Sequence, residues 1–150
     1  MTTFRKATAD LLENHDISVE EAADRHIAPD FRQRMNGIWI DRREFIDRIT
    51  ELRSNTQEIN IVVLDEMTVG DQYCERHIGD LLSFDGRREV LEVYVFAVLD
   101  SDGRFKRVEE VTLTLNPDVV MPPMDAADDR EANSYSPASP MAYPHTALMS

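Results

Sequence analysis

Cysteine is almost absent from this chain: Cys74 stands alone, so no internal disulfide can form. No stretch approaches twenty apolar residues, and the opening Met-Thr-Thr-Phe-Arg-Lys has no apolar signal core behind it. The expectation is a soluble, cytoplasmic protein. Positive charge is scarce too, with 16 Lys and Arg against 29 Asp and Glu and a formal net of -13. Such a surface repels phosphate backbones and anionic lipid, which excludes nucleic acid and membrane as favoured partners. The glycines form no phosphate-cradling loop, the cysteine and histidines lack metal-ligand spacing, and no segment repeats. Neither a metal nor another cofactor is expected.

What the chain does have is strand-like sequence. At 150 residues it is long enough for one domain with a real core and too short for two ordinary ones. Four apolar runs, 58–69, 72–84, 87–99 and 104–115, are rich in Val, Ile, Leu, Tyr and Phe. They are separated at Gly70-Asp71, Asp85-Gly86 and Asp100 to Gly103, where glycine supplies the positive φ of a tight turn. The pattern predicts an antiparallel meander. Its strands run to about a dozen residues, against an ordinary length of about five or six, which predicts strong twist and a curled sheet with a concave side.

Helical material precedes the meander. Phe4, Ala7, Leu11 and Leu12 have helical spacing over 3–14, behind Thr2 and Thr3 as caps. Ser18 with Glu21 forms a capping-box pattern for a second helix, ended by Pro29, whose apolar stripe includes His26. That ring reads as packed in the core rather than as a ligand. Residues 30–40 form a short extended piece and a turn at Asn36-Gly37, and carry the lone Trp39, which serves either as core or as the wall of an apolar pocket. Asp41 then caps a third helix with Glu44 at the box position, and Glu44 and Arg48 are spaced as an i, i+4 pair. After Leu115 the composition changes, with six of seven prolines in 117–150. The folded domain is therefore expected over 1–116 and a flexible Pro-rich acidic tail over 117–150.

The chemistry lies in the strands. Asp65 shares parity with Ile59, Ile61, Val63 and Met67, either facing the core with them or turned by twist or a bulge toward solvent or an arginine. Tyr73, Glu75, His77, Gly79 and Leu81 share one face of the second long strand, a mixture that suits either a partly polar cavity or an edge position. Residues 90–99 are apolar on both faces, so the face away from the helices requires cover; a second copy of the chain, contacting Tyr94 and Phe96, is the expected partner. On the last strand one of the adjacent Glu109 and Glu110 must point inward.

The order of helices, short strand, capped helix and long meander, with Val69-Gly70-Asp71-Gln72-Tyr73 and Asp102-Gly103-Arg104 through Glu110, resembles the nuclear transport factor 2-like superfamily. Within it, the SnoaL-like polyketide cyclase and ketosteroid isomerase branch is the most similar. The resemblance covers about 5–116. It implies an α+β, cone-shaped fold, three N-terminal helices packed in a strongly curled antiparallel sheet, with a pocket at the open end and often a dimer across the convex face. Where members are enzymes, the chemistry is acid-base work beside a carbonyl or on an epoxide. The steroid isomerase base has no counterpart, since that stretch reads Arg34-Met35-Asn36, and the position of its oxyanion-binding acid is Val95. A cyclase-like pair is matched by His77 and Glu110, which the resemblance makes catalytic. Asp65, Tyr73 and Glu75 become polar pocket residues, and Phe31, Met35 and Trp39 the apolar wall. An epoxide hydrolase cluster is represented only by Asp65, Arg76 and Asp80, whose parities disagree. The expected function is cyclisation or isomerisation of a small, largely apolar carbonyl compound, the alternative a non-catalytic ligand-binding or dimerisation module.

Overall fold

A computed structural model describes residues 2–116 and 118. The tail expected from residue 117 onward lies, Asp118 apart, outside the described residues. Helix α1 (Phe4–Thr8) runs into one π-helical turn (Ala9–Glu13), followed by α2 (Val19–His26), β1 (Ile27–Met35), β2 (Ile38–Asp41) and α3 (Arg42–Asn55). The meander is β3 (Thr56–Val69), β4 (Gln72–Ser83), β5 (Arg88–Leu99) and β6 (Phe105–Leu115).

Local chemistry accounts for the helix ends. At α3 the capping box is complete: Asp41 Oδ1 accepts from Glu44 N and Glu44 Oε2 accepts from Asp41 N, both at 2.9 Å. Glu44 is thereby taken, and the Glu44–Arg48 pair does not form. At α2 only half the box exists. Ser18 Oγ accepts from Glu21 N at 3.0 Å, while the Glu21 carboxylate turns to Arg25 at 2.8 Å. The helix stops at His26, three residues before Pro29. Pro29 instead sits in β1, where pairing with β6 loses register between Ile27 and Arg32 and a missing N–H is tolerated. His26 is buried with both ring nitrogens engaged, Nδ1 with Thr2 Oγ1 at 2.6 Å and Nε2 with Asp10 at 2.7 Å.

The sheet order is β2-β1-β6-β5-β4-β3. Contrary to the antiparallel expectation it is mixed, because β1 and β6 run parallel. The reason is topological. Helix α3 returns the chain across the sheet, so β3 runs in the direction of β2, and the three hairpins that follow leave β6 opposed to β3 and aligned with β1. Nor is the sheet strongly curled. The expectation rested on strand length, and in β3 that length is spent differently: 65–69 project as a fully exposed end. The core lies between the helices and one sheet face, with Ala22, Ala23, Phe31, Tyr73, Val95 and Phe105 among its buried residues. Among the described residues no helix is long and apolar enough to cross a membrane, and no group of three or more His, Cys, Asp or Glu is placed to hold a metal ion.

Candidate active site

Between the helices and the inner face of the sheet lies a cavity of about 240 Å³. Its wall is largely apolar, with Phe4, Leu11, Phe31, Phe45, Ile61 and Val93 among the contributors; the polar residues in it are Thr8, Gln33, Arg48, His77, Glu110 and Thr112. Strand register brings four of these together. His77 lies across from Val93, and Val93 from Thr112; Glu110 lies across from Val95 on one side and Met35 on the other; Gln33 pairs with Val108. Side chains of one parity share a face, so all of these project inward.

His77 is 5% exposed and is held by two contacts. Its ring stacks on Phe4, with centroids 4.7 Å apart and planes 29° apart. Its Nδ1 lies 2.6 Å from Glu75 Oε1, on a carboxylate whose side chain is 0% exposed. An ionised carboxylate only accepts, which places the ring proton on Nδ1 and leaves Nε2, without a partner among the described residues, as the nitrogen available to a ligand. Behind Glu75 the chain of polar groups continues. Tyr73 Oη is 3.1 Å from Glu75 Oε2, 3.1 Å from Glu66 Oε1, and accepts from Phe4 N at 3.2 Å. The hydroxyl has one proton, within reach of both carboxyl groups. Burial, reinforced by the Glu75 charge, raises the Tyr73 pKa and keeps the phenol protonated. Glu66 is exposed, and the series His77, Glu75, Tyr73, Glu66 therefore links the cavity to the surface.

Glu110 supplies the second titratable group. Its Oε1 accepts from Gln33 Nε2 at 2.8 Å, which leaves Oε2 to carry a proton. Burial pushes the carboxyl up to about 7; His77 acts in the lowering direction, and the Glu75 charge raises it further. Glu109, its neighbour, faces the other way toward Arg34 and Arg107, at 3.7 and 3.4 Å.

The expected pocket residues divide. Phe31, Met35, His77 and Glu110 line the cavity, while Tyr73 and Glu75 stand behind His77. Trp39 on β2 is 41% exposed, with the Arg32 guanidinium 5.0 Å from its ring centroid, and does not line the cavity. Asp65 lies on the opposite sheet face, 2.7 Å from Arg76, because a bulge between Val63 and Asp65 reverses the strand's parity. Asp80 pairs with Arg88 instead, at 2.7 Å, so the epoxide hydrolase set is not assembled. The same bulge puts Glu66, still exposed, on the sheet face of Tyr73 and Glu75, a residue sequence reasoning missed for want of any local marker. Gln33 was also missed, although its spacing of two from both Phe31 and Met35 was a usable signal.

Neither a family model nor a curated protein matches the sequence. Solved structures do. A nuclear transport factor 2-like protein of unknown function from Exiguobacterium sp. matches at TM-score 0.57 and 17% identity, over 73% of this chain and 93% of its own. IdmH from Streptomyces antibioticus, a candidate polyketide cyclase, gives TM-score 0.57 and 17% identity over 72% of this chain and 90% of its own. AclR from Streptomyces galilaeus, a candidate hydroxylase, gives 0.55 and 12% over 63% of this chain, and the match spans less than two thirds of AclR, 64%. The chain has the nuclear transport factor 2-like fold. SnoaL-like polyketide cyclase structures are among those that share it.

Proposed function

We propose that this is a SnoaL-like acid-base catalyst that moves a proton beside the carbonyl of a small, largely apolar compound, in a cyclisation or isomerisation. One observation carries the reading: His77, oriented by Glu75, and Glu110, pushed up to about 7, open into the same apolar cavity. His77 Nε2 takes a proton from the carbon next to the carbonyl, and the C–H electron pair becomes the enol double bond. Glu110 Oε2–H protonates the carbonyl oxygen. In an isomerisation His77 then delivers its proton to a different carbon of the conjugated enol; in a cyclisation the enol carbon attacks a second carbonyl and the alkoxide formed there takes the His77 proton. In both, the enol O–H returns its proton to Glu110 as the first carbonyl re-forms. Tyr73 and Glu66 give the His77–Glu75 pair a route for protons that avoids opening the cavity to water.

The test is exchange of α-hydrogens for deuterium in a panel of ketones and β-keto esters, followed by NMR. His77→Gln and Glu110→Gln should each slow exchange by about a hundredfold, the scale of one general acid or base. Exchange unchanged in both variants would reject the pair. The alternative, a non-catalytic binder of apolar metabolites, is favoured by how little of the wall is polar, and ligand affinity without exchange would select it. Association into a homodimer through the outer sheet face is part of the proposal. Tyr94 and Phe96, at 45% and 70% exposure, adjoin Val111 and Leu113 there, at 59% and 56%. A cytoplasmic location is proposed with it.

A further inference from the structure

Among the described residues, Arg48 is the one Arg or Lys in the cavity wall and the wall's one exposed residue. A residue that lines a cavity and also faces solvent marks the opening. Phe45, Ile49 and Leu52, on the same side of α3, are buried or half-buried parts of the wall, so Arg48 stands at the rim, where an arginine can lay its stem on apolar surface and keep its charge in water.

Among the described residues, no acid within one turn of it on α3 pairs with it. Glu44, one turn back, is held by the α3 capping box, Asp47 faces Arg43 at 3.6 Å, and Glu51 is not in the wall. Arg48 has no ion pair or hydrogen bond among the described residues, whereas Arg42 and Arg53 of the same helix bond Asp24 and Ile17 O, at 2.5 and 3.0 Å. In a chain with a formal net charge of -13, an uncommitted cation beside an apolar cavity is where an anion can be admitted against a repulsive field.

We infer that the cavity takes a two-ended ligand: an apolar body with a carbonyl at the His77–Glu110 end and a carboxylate at Arg48. Charge selects the carboxylate. One guanidinium matches one carboxylate in a two-pronged pair, while a phosphate dianion would leave excess negative charge on an already acidic surface. The opposite orientation is disfavoured, because burial at Glu110 acts against a second negative group beside it and Glu75. Only the placement of the carbonyl rests on the acid-base reading.

Octanoate and methyl hexyl ketone share a chain and differ in charge, and their binding is measured by calorimetry at low and high NaCl. The wild type should prefer octanoate by about fivefold at low salt, the upper range for a solvent-facing ion pair, and lose that preference as salt rises. Arg48→Gln should erase the preference, read as the ratio of octanoate to ketone affinity in the same variant, and Arg48→Lys should keep part of it. A wild type without preference, or binding neither probe, overturns the inference. So does a preference that survives Arg48→Gln and disappears in His77→Gln, which would seat the carboxylate at the inner end. If the octanoate preference depends on Arg48 but ketone exchange is indifferent to His77, the inference stands and the acid-base reading alone fails.

Discussion

At the scale of single residues, Glu110 carries the clearest physical consequence. Unfolded, its carboxyl titrates near 4.5; folded, near 7. Between those values the folded state holds a proton that the unfolded state has released, so the contribution of Glu110 to stability falls as pH rises from about 4.5 to about 7 and does not change above that. The gap corresponds to on the order of 3 kcal/mol. Glu110→Gln keeps an acceptor for Gln33 and removes the titration, so urea denaturation should show the variant gaining on the wild type at pH 8 relative to pH 5. An equal difference at both values would mean that Glu110 is not held neutral. Tyr73→Phe should destabilise by about 1 to 2 kcal/mol, since Phe4 N–H and the carboxyls around Tyr73 lose their shared partner. In the exchange assay it should slow the reaction by about tenfold, less than loss of His77 itself. Wild-type stability and exchange in Tyr73→Phe would remove the hydroxyl from the network. Strand parity left open whether Glu109 or Glu110 points inward and whether the His77 face lines a cavity or an edge. A family likeness singled out His77 and Glu110, both of which line the cavity, and their partners were only partly legible. Gln33 was readable and missed; Glu66 was not readable, because one extra residue in β3 exchanged its face with that of Asp65.

Element by element, the sequence was most informative where local chemistry decides the outcome. Turn glycines located the hairpins, and the Asp41–Glu44 box located the start of α3, which bears the Phe45, Arg48, Ile49 and Leu52 side of the cavity. Asp41→Ala should cost about 1 kcal/mol in thermal or urea unfolding, whereas Glu44→Gln, still able to reach Asp41 N, should cost less. Equal losses in both would point to the negative charge at the helix N-terminus rather than to the cap hydrogen bonds. Where tertiary context decides, the reading went astray. Pro29 marks a break in β1–β6 pairing and not the end of a helix. The Glu44–Arg48 spacing yields no ion pair, because the backbone N–H of Asp41 is the nearer claim on that carboxylate.

On the scale of the molecule, one sheet face closes the core and cavity while the other displays Tyr94 and Phe96. Phe96→Asp should abolish self-association in sedimentation, and a wild type that stays monomeric at high concentration would contradict the proposed dimer. The parallel β1–β6 contact was hidden from periodicity, since nothing in a strand's own residues states which neighbour it meets or in which direction. It matters for function, because that contact sets Gln33 beside the strand bearing Glu110. The central claim is that a neutral Glu110 and His77 act as acid and base in one cavity, and the pH dependence of α-hydrogen exchange in wild type and Glu110→Gln tests it most directly. The wild-type rate should fall as pH rises through about 7, and the variant should be slower throughout and lack that fall. The same alkaline fall in both proteins, or full activity in the variant, would contradict it.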